Sequence, residues 1–297
     1  MIIDCKSIAQ DIKNKIKNII AEADYAPVLL IYQVGDNPAS NAYIRGKLRD
    51  CEEVGIEAEL IKLPENITED ELNNKILEDY KILEDYNWED VDGIIVQLPL
   101  PKHINPKNII IPDELDVDGF NSTSPFQPCT PLGVMKIFDS IGYNLDGKNV
   151  LVCGQSDIVG RPLVNMLIKR HCNVISINSS TEKYVRDEML LRADVLITAT
   201  GRMNLITEND LDYKWCTEIN GYENSGSCPD LIIDVGINYK DGKQYGDCSD
   251  ELRSEKYNHC FDITPRIGGV GLMTRAMLLY NVCVARYGEE KMEEVIE

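Results

Sequence analysis

The first third of the chain alternates between helical and strand-like spacing of its hydrophobic residues. Isoleucines recur every three or four positions over 7–20, which predicts an amphipathic helix. Apolar or alternating runs predict strands at 28–34, 57–63 and 91–98. Helices are expected between them, at 40–54 and from Thr68, where Glu71 completes a capping box. Strands that alternate with helices indicate parallel βαβ units.

A proline-rich segment at 99–131 separates this series from a second one. We expect it to be a linker or a functional loop, because loops that only connect two elements are usually shorter. Beyond it the pattern predicts helices at 131–141, 159–170, 181–192 and 273–287, and strands at 149–153, 173–177, 195–200 and 231–235. The segment 212–228 is expected to be a surface insertion. The acidic end, 289–297, is expected to be solvated.

Composition excludes several classes of partner. The chain has 30 Lys and Arg against 50 Asp and Glu, a net charge of −20. A protein this acidic repels nucleic-acid phosphates and anionic membrane surfaces, so we expect neither as a partner. It has no apolar run long enough to span a bilayer and no signal-peptide pattern, which predicts a cytoplasmic protein.

The ten cysteines are scattered, with no CxxC pair, and only three histidines are present. Several cysteines lie in apolar runs, where cysteine behaves as a small hydrophobic residue. We therefore expect reduced thiols and no metal site.

The segment 154–162, GQSDIVGRP, follows a predicted strand and begins a predicted helix, as a dinucleotide-binding turn does. Gly154 suits a tight turn, Ser156 is small enough to let backbone N–H groups approach a diphosphate, and Gly160 permits close helix packing. An ordinary βα turn explains the segment equally well. The next strand ends in NSST (178–181) rather than an acidic residue, and these hydroxyls suit a ribose 2′-OH or a 2′-phosphate alike.

Tyr43 and Lys47 are four residues apart on the predicted helix 40–54 and share one of its faces. In a parallel unit this helix begins at the carboxyl end of the sheet, where ligands bind. A buried lysine there can act as a base or proton donor, and a tyrosine beside it can stack on a ring. Taken alone, the pair is better explained as part of a solvated helix face.

Three further spots allow either a ligand contact or a structural role. Gln97 ends a predicted strand, where its side chain faces a ligand crevice or caps the strand. Asp118, in DVDGF, is suited to bind an amino-heterocycle or to form an Asx turn. The glycines at 268, 269 and 271 flank Val270 and indicate close backbone approach to a ligand or to a facing helix.

Together these segments resemble the methylenetetrahydrofolate dehydrogenase/methenyltetrahydrofolate cyclohydrolase family of the FolD type. The matching motifs come in order across nearly the whole chain: VGDNPASNAYIRGK (34–47), GIIVQLPLP (93–101), DVDGF (116–120), PCTPLGV (128–134), GQSDIVGRP (154–162), IDVGIN (233–238) and ITPRIGGVGLMT (263–274).

The resemblance implies an α/β fold of two domains. An N-terminal α/β catalytic domain that binds folate, 1–142, is completed by the C-terminal helix, 273–297. A Rossmann-like NAD(P)-binding domain, 143–272, is inserted between them. The implied activity is oxidation of 5,10-methylenetetrahydrofolate to 5,10-methenyltetrahydrofolate and hydrolysis of that product to 10-formyltetrahydrofolate, in a cytoplasmic homodimer.

The resemblance also implies roles for individual residues. Lys47 matches the lysine needed for the cyclohydrolase step, Tyr43 the tyrosine packed on the folate rings, and Gln97 the glutamine that hydrogen-bonds the lysine. Asp118 matches the pterin-binding aspartate, and Gly269 and Val270 complete the implied substrate site. The implied cofactor residues are Gly154, Gln155, Ser156, Ile158, Ser179, Thr200, Gly201 and Ile237.

Departures from the family pattern bear on the cofactor. Gln155 stands where many members carry an arginine that reaches the 2′-phosphate of NADP, and no basic residue occurs at 178–180. NADP is the cofactor that the family resemblance implies, and the missing arginine makes NAD the alternative. Arg266, Ile267 and Leu272 also differ from the family pattern around the GGVG segment.

Three other functions are consistent with parts of the pattern. One is a monofunctional NAD-dependent dehydrogenase, favoured by Gln155 and disfavoured by Lys47 and Gln97. The others are a non-catalytic nucleotide- or folate-binding module and a generic hydroxy-acid or amino-acid dehydrogenase. The binding module is disfavoured by the joint presence of Tyr43, Lys47, Gln97 and Asp118. The generic dehydrogenase is disfavoured because no His–Asp or Lys–Asp pair is evident beyond that set.

Overall fold

The computed structural model describes residues 1–85, 91–212 and 229–296, and helices alternate with strands through most of that length. Most of the expected insertion at 212–228 lies outside the described residues. The helices are α1 (Cys5–Ala21), α2 (Pro38–Val54), α3 (Glu69–Asp85), α4 (Cys129–Ser140), α5 (Gly160–Lys169), α6 (Lys183–Arg192), α7 (Glu208–Asp212), α8 (Val270–Tyr287) and α9 (Glu289–Ile296). The strands are β1 (Val28–Val34), β2 (Glu57–Leu63), β3 (Gly93–Val96), β4 (Asn149–Cys153), β5 (Asn173–Ile177), β6 (Val195–Thr198), β7 (Leu231–Asp234), β8 (Asn238–Lys240), β9 (Lys243–Tyr245) and β10 (Asp262–Ile263).

Two parallel sheets carry the fold, as the alternating pattern predicts. The first has the order β2-β1-β3 and the second the order β10-β7-β6-β4-β5. Strands β1, β2, β4 and β5 have the predicted bounds, whereas β3, β6 and β7 are shorter than predicted. The antiparallel β8–β9 hairpin, β10 and α7 were not predicted, because they are too short to show a hydrophobic period.

The chain divides into two compact units. One, the Lys47 unit, comprises residues 9–129 and 275–297; the other, the Gly154 unit, comprises residues 1–8 and 130–274. Each unit contains one of the two parallel sheets. The domain boundaries expected from the resemblance, at 142/143 and 272/273, stay a prediction.

One face of the sheet in the Lys47 unit packs on α3. Tyr32 and Val96, from adjacent strands, join Leu72 and Ile76 of the helix in one buried cluster. The predicted capping box starts α3: the backbone N–H of Thr68 donates to a Glu71 carboxylate oxygen at 2.8 Å, and the Glu71 N–H donates to the Thr68 hydroxyl at 3.2 Å. The other face of the sheet is turned toward α2, where the Gln33 amide of β1 bonds the Asn41 side chain.

The acidic end of the chain is not wholly solvated, so that expectation was wrong. It forms α9, in which Met292 and Val295 are buried. These two residues are three positions apart and therefore share a helix face, which packs while the glutamates face outward. The Lys15 ammonium donates to the Glu294 carbonyl at 2.6 Å and ties the end of the chain to α1.

Buried polar groups fix the proline-rich segment in the Lys47 unit. The Asn281 side chain on α8 is 2% exposed and donates to the carbonyls of Val117 at 2.8 Å and Gln127 at 3.0 Å. The buried Asp116 carboxylate accepts bonds from the N–H groups of Phe120 at 3.0 Å and Asn121 at 2.7 Å. Such bonds satisfy backbone groups that a loop otherwise leaves unpaired, so the segment is a structured loop rather than a linker.

None of the described helices is long and apolar enough to cross a membrane. Within the same residues no three His, Cys, Asp or Glu side chains are grouped to hold a metal ion. Every cysteine described is a free thiol, and most of these thiols are buried.

Asp116 gives the stability of the fold a specific pH dependence. Burial raises the pKa of this carboxyl from 3.8 to about 6, although the two backbone N–H bonds oppose the shift. Because the folded-state pKa is raised, the contribution of Asp116 to stability is fully present below pH 3.8 and is lost as the pH rises through about 6. Wild type should therefore lose about 2 kcal/mol of unfolding free energy relative to Asp116→Asn between pH 4 and pH 7.

Urea unfolding of the two proteins at several pH values measures this difference. Glu114→Gln changes an exposed carboxylate of the same segment and should run parallel to wild type across the range. Parallel curves for Asp116→Asn and wild type would show that the Asp116 pKa is not raised.

Candidate active site

Lys47 lies on the buried face of α2. Its side chain is 4% exposed, and its Nζ atom lies 5.3 Å from the centroid of the Tyr43 ring. Ile44 and Cys51, at helical spacing from Lys47, are buried on the same side. Among the described residues, no carboxylate lies within salt-bridge distance of the Lys47 ammonium. A solvated helix face is therefore the wrong interpretation for Lys47.

The nearby carboxylate of Asp50 is engaged by other cations. The Arg275 Nε atom lies 2.8 Å from one of its oxygens, and the Lys13 ammonium lies 3.6 Å from the other. The Arg275 guanidinium packs against α2 at Gly46, where any Cβ atom would collide with it. Glycine at position 46 therefore lets Arg275 reach Asp50, and Lys47 is left without a counter-ion.

Gln97 follows β3 at the carboxyl end of the sheet. Its backbone N–H donates to the Tyr32 carbonyl at 2.8 Å, which continues the pairing of β3 with β1. Its side-chain amide donates to the Leu98 carbonyl at 2.7 Å. The side-chain oxygen is buried and has no hydrogen-bond partner in the described part of the chain. This oxygen is therefore free to accept a hydrogen bond from a ligand or from a side chain that moves toward it.

The thiol of Cys129 links Asp118 to Lys47. Burial raises the pKa of the Cys129 thiol well above its usual value, and the hydrogen-bonded Asp118 carboxylate raises it further, whereas the positive charge of Lys47 lowers it. Both side chains therefore lie close enough to Cys129 to act on it electrostatically. Lys47 and Tyr43 are thus in contact on α2, and Asp118 and Gln97 belong to the same unit; a joint site of the four residues stays a prediction.

The dinucleotide-type turn lies in the Gly154 unit between β4 and α5. Gly154 has φ 122°, and a Cβ atom there would collide with the Ala199 carbonyl. A Cβ atom at Gly160 would likewise collide with the Gly154 carbonyl. The Ser156 hydroxyl accepts bonds from the N–H groups of Val159 and Gly160, each at 3.3 Å, and so caps α5. Close contacts with backbone carbonyl groups therefore require glycine at both positions, which an ordinary turn does not.

A cavity of about 750 Å³ opens beside this turn. Five of the predicted cofactor residues line it: Gly154, Gln155, Ser156, Ser179 and Thr200. Of the other three, Ile158 and Ile237 are partly exposed and Gly201 has a positive φ of 63°, and none is among the lining residues. A cavity of this size, bordered by a helix N-terminus, fits a dinucleotide.

Gln155 is held in a network of uncharged groups. Its amide donates to the Ser176 carbonyl at 3.1 Å and accepts a bond from the Asn178 amide at 2.9 Å. This places it against the end of β5, where Rossmann folds contact the adenosine ribose. The position is therefore polar and neutral.

Cations also line this cavity, although the chain is strongly acidic. Its cationic lining residues are Arg161, Lys183, Arg186 and Arg202. Three of them pair with carboxylates at 2.6 Å: Arg161 with Asp157, Lys183 with Asp187 and Arg186 with Asp210. An anionic ligand would have to compete with these carboxylates.

Two buried aspartates that the sequence did not single out brace the cavity. Asp247 accepts bonds from the Thr200 N–H at 2.6 Å and the Thr200 hydroxyl at 2.8 Å, and from the Asn238 amide at 3.0 Å. Asp234 accepts a bond from the Asp247 N–H at 2.9 Å and pairs with the Arg253 guanidinium at 2.7 Å. The sequence did carry a signal for these two aspartates, since each lies within two residues of a glycine, in DVG (234–236) and YGD (245–247). The two glycines leave room for the carboxylates: Gly236 packs on Asp247 and Gly246 packs on Asp234.

Gly269 and Val270 belong to the Gly154 unit, at the start of α8. A Cβ atom at Gly269 would collide with the Pro265 carbonyl, so contact with neighbouring backbone already explains this glycine. Of the residues that depart from the family pattern, Arg266 pairs with Asp250 at 2.9 Å and Ile267 is exposed.

Comparison with known proteins identifies both halves of the chain. Residues 3–118 match the catalytic domain of tetrahydrofolate dehydrogenase/cyclohydrolase, and residues 128–289 match its NAD(P)-binding domain. A bifunctional FolD protein of Sulfurihydrogenibium is 40% identical over 95% of each chain, and one of Lysinibacillus sphaericus is 38% identical over 96% of each.

Among solved structures, the bifunctional FolD enzyme of Campylobacter jejuni superposes with a TM-score of 0.79 at 35% identity, over 96% of this chain and 98% of that one. The sequence identity, the two family domains and the parallel sheets agree over nearly the full length. The chain belongs to the tetrahydrofolate dehydrogenase/cyclohydrolase family.

Proposed function

We propose that this protein oxidises 5,10-methylenetetrahydrofolate to 5,10-methenyltetrahydrofolate with NADP⁺, and then hydrolyses the product to 10-formyltetrahydrofolate. The observation that carries the proposal is the burial of Lys47 without a counter-ion, beside Tyr43 and within electrostatic reach of the Cys129–Asp118 pair. The FolD relatives described as bifunctional support both reactions.

The Lys47 unit supplies the groups that recognise folate. The Tyr43 ring offers a face on which the folate rings stack. The Asp118 carboxylate accepts paired hydrogen bonds from the amino and ring N–H groups of the pterin. These contacts hold the one-carbon bridge of the substrate near Lys47, and such positioning supplies a large share of the rate enhancement.

The residues of the Gly154 turn fit a dinucleotide, because two glycines leave room for close backbone approach and α5 directs its N-terminus to the cavity. A nicotinamide dinucleotide held there would supply the acceptor for the hydride that leaves the methylene carbon. Thr200, fixed by Asp247, forms part of the cavity wall, while Ser156 and the α5 N-terminus lie where the diphosphate binds. The protein thus positions the reacting rings and supplies no redox group of its own.

Hydrolysis needs a base next to the methenyl carbon. The oxygen of a water molecule bonds to that carbon while the neutral Lys47 amine takes a water proton. The bond from the carbon to N5 then breaks and N5 receives a proton, which leaves the formyl group on N10; the second water proton is released. Because the methenyl compound is a cation, a protonated Lys47 would repel it, so the neutral amine is the active form.

Replacement of Lys47 should separate the two reactions. We expect Lys47→Met, which keeps the length of the side chain, to lower cyclohydrolase kcat by about 100-fold or more, the usual share of a general base. The dehydrogenase rate should fall much less, because hydride transfer requires no proton on Lys47. Hydrolysis of methenyltetrahydrofolate and reduction of the nicotinamide, each followed by absorbance, measure the two rates.

Lys15→Met is the matched control, because Lys15 is exposed and, within the described part of the chain, its ammonium bonds only the Glu294 carbonyl. Both of its activities should equal those of wild type. Unchanged hydrolysis in Lys47→Met would remove this lysine from the mechanism, and absence of both activities from wild type would refute the proposed function itself.

The choice of NADP⁺ is supported by the cations that line the cavity, which attract a 2′-phosphate. The neutral Gln155 instead favours NAD⁺, the alternative acceptor, because it adds no positive charge at the ribose. Gln155→Arg should therefore raise kcat/KM for NADP⁺ by about 10-fold and leave the NAD⁺ value nearly unchanged, as one added charge-assisted hydrogen bond predicts.

Gln155→Leu separates charge from the loss of the contacts to Ser176 and Asn178. It should affect both cofactors alike. An equal response of NADP⁺ and NAD⁺ to Gln155→Arg would place the 2′-phosphate away from position 155.

We also infer that the protein is a cytoplasmic homodimer. The family resemblance supports this assembly, and in the Gly154 unit the exposed apolar residues Ile237, Tyr239 and Ile267 offer surface for it. Light scattering coupled to size-exclusion chromatography should give twice the chain mass of 33.5 kDa. A mass of a single chain at micromolar concentration would contradict the dimer.

A further inference from the structure

A second glutamine lies beside Gln97 on the sheet of the Lys47 unit. Strands β1 and β3 are parallel with Tyr32 opposite Val96, so Gln33 and Gln97 are the next pair along the two strands. Tyr32 and Val96 face α3, and side chains alternate along a strand. Gln33 and Gln97 therefore face the opposite side of the sheet, the side of α2.

The Gln33 side-chain amide is buried, and only its N–H group has a hydrogen-bond partner within the described residues. Its side chain is 2% exposed, and its Nε2 group donates to the Asn41 oxygen on α2 at 2.6 Å. Asn41 is oriented in turn by its bond to Asp36 at 2.7 Å. These bonds direct the Gln33 oxygen away from Asn41, and this oxygen has no hydrogen-bond partner among residues 1–85, 91–212 and 229–296.

Two adjacent buried amides thus present unused acceptors, one from Gln33 and one from Gln97. Buried acceptors without donors are rare in folded proteins because leaving them unbonded costs free energy. Lys47 has a complementary deficiency: its side chain is 4% exposed and lies over the Tyr43 ring, and its amine makes no hydrogen bond or salt bridge within the described part of the chain. The acceptors and the donor match in number, since a neutral amine has two N–H groups.

We propose that Gln33 is a positioning residue for the cyclohydrolase reaction: with Gln97, it accepts the two N–H bonds of the neutral Lys47 amine and directs its lone pair at the hydrolytic water. Neighbouring strands are about 4.8 Å apart, and two acceptors at that spacing, each about 2.9 Å from one nitrogen, subtend roughly 110°, the tetrahedral angle of an amine. The inference rests on the proposed function and adds a residue to the site of hydrolysis.

The other ionisable groups near Lys47 do not compete for this role. Burial raises the pKa of the Cys51 thiol to about 12 and that of the Cys129 thiol well above its usual value, so both stay neutral at physiological pH. Asp118 bonds Cys129, and Tyr43 presents its ring to Lys47. Uncharged amide oxygens orient the amine without forming an ion pair that would hold it in the protonated form.

Gln33→Met and Gln33→Glu test the assignment. Gln33→Met keeps the side-chain volume and removes the acceptor, so cyclohydrolase kcat should fall about 10-fold while dehydrogenase kcat and the KM for methylenetetrahydrofolate stay within 2-fold of wild type. Gln33→Glu keeps the acceptor and adds a carboxylate that favours the ammonium. Its cyclohydrolase activity should be low at pH 7 and recover as the pH is raised, whereas dehydrogenase activity should not follow that profile.

Gln244→Met makes the same exchange in the Gly154 unit, where Gln244 bonds the Arg266 carbonyl, and should leave both activities unchanged. Equal losses of both activities in the Gln33 variants would indicate a merely structural role. A raised KM in the dehydrogenase reaction would assign Gln33 to the pterin, and an unshifted pH profile for Gln33→Glu would separate it from Lys47. Each of these results overturns the inference, whereas inactivity of wild type would refute the proposed function instead.

Discussion

Parallel strands end at a common edge, and both candidate sites depend on this constraint. The backbone leaves the sheet there, so polar side chains at the strand ends can remain buried without interrupting the ladder. In the Lys47 unit this edge carries Gln33 and Gln97 on adjacent strands. In the Gly154 unit it carries the Gly154 turn after β4 and the Thr200 loop after β6. An antiparallel sheet of the same composition would place these groups at opposite ends.

Buried charge is tolerated at these edges because each charged group is fitted to specific partners. Asp50 is matched by Arg275 and Lys13, and Asp234 by Arg253 and by the backbone near Gly246. A buried pair of this kind adds little net stability, but it becomes costly when one partner is removed. The pairs therefore serve mainly to fix geometry. Lys47 differs from all of them, since its ammonium lies over the Tyr43 ring, acts electrostatically on two thiols and pairs with no carboxylate of the described chain.

Much of the fold could be predicted from hydrophobic spacing. The runs VLLIYQV and NVLVC gave the bounds of β1 and β4, since each is a continuous apolar stretch ended by a turn signal. Burial of individual polar residues could not be predicted in this way. Lys47 shares its helix with charged neighbours, and only packing against other elements places it inside. Met292 and Val295 were overlooked because the glutamates around them dominate the average polarity of α9. Gln33 did leave a signal: it is the one strongly polar residue in an otherwise apolar strand.

The net charge of −20 poses a further constraint on a protein whose proposed ligands are anionic. A surface this acidic repels both a dinucleotide and a folate carboxylate, although at about 0.1 M salt the repulsion is largely screened beyond about 10 Å. Affinity must then arise locally, from backbone N–H groups at α5 and from cations in the cavity wall. Because Arg161, Lys183 and Arg186 are paired with carboxylates, a phosphate gains only the difference between two ion pairs when it displaces one. Steric fit to the glycine turn involves no such exchange, so it favours a dinucleotide without the competition that these three paired cations impose.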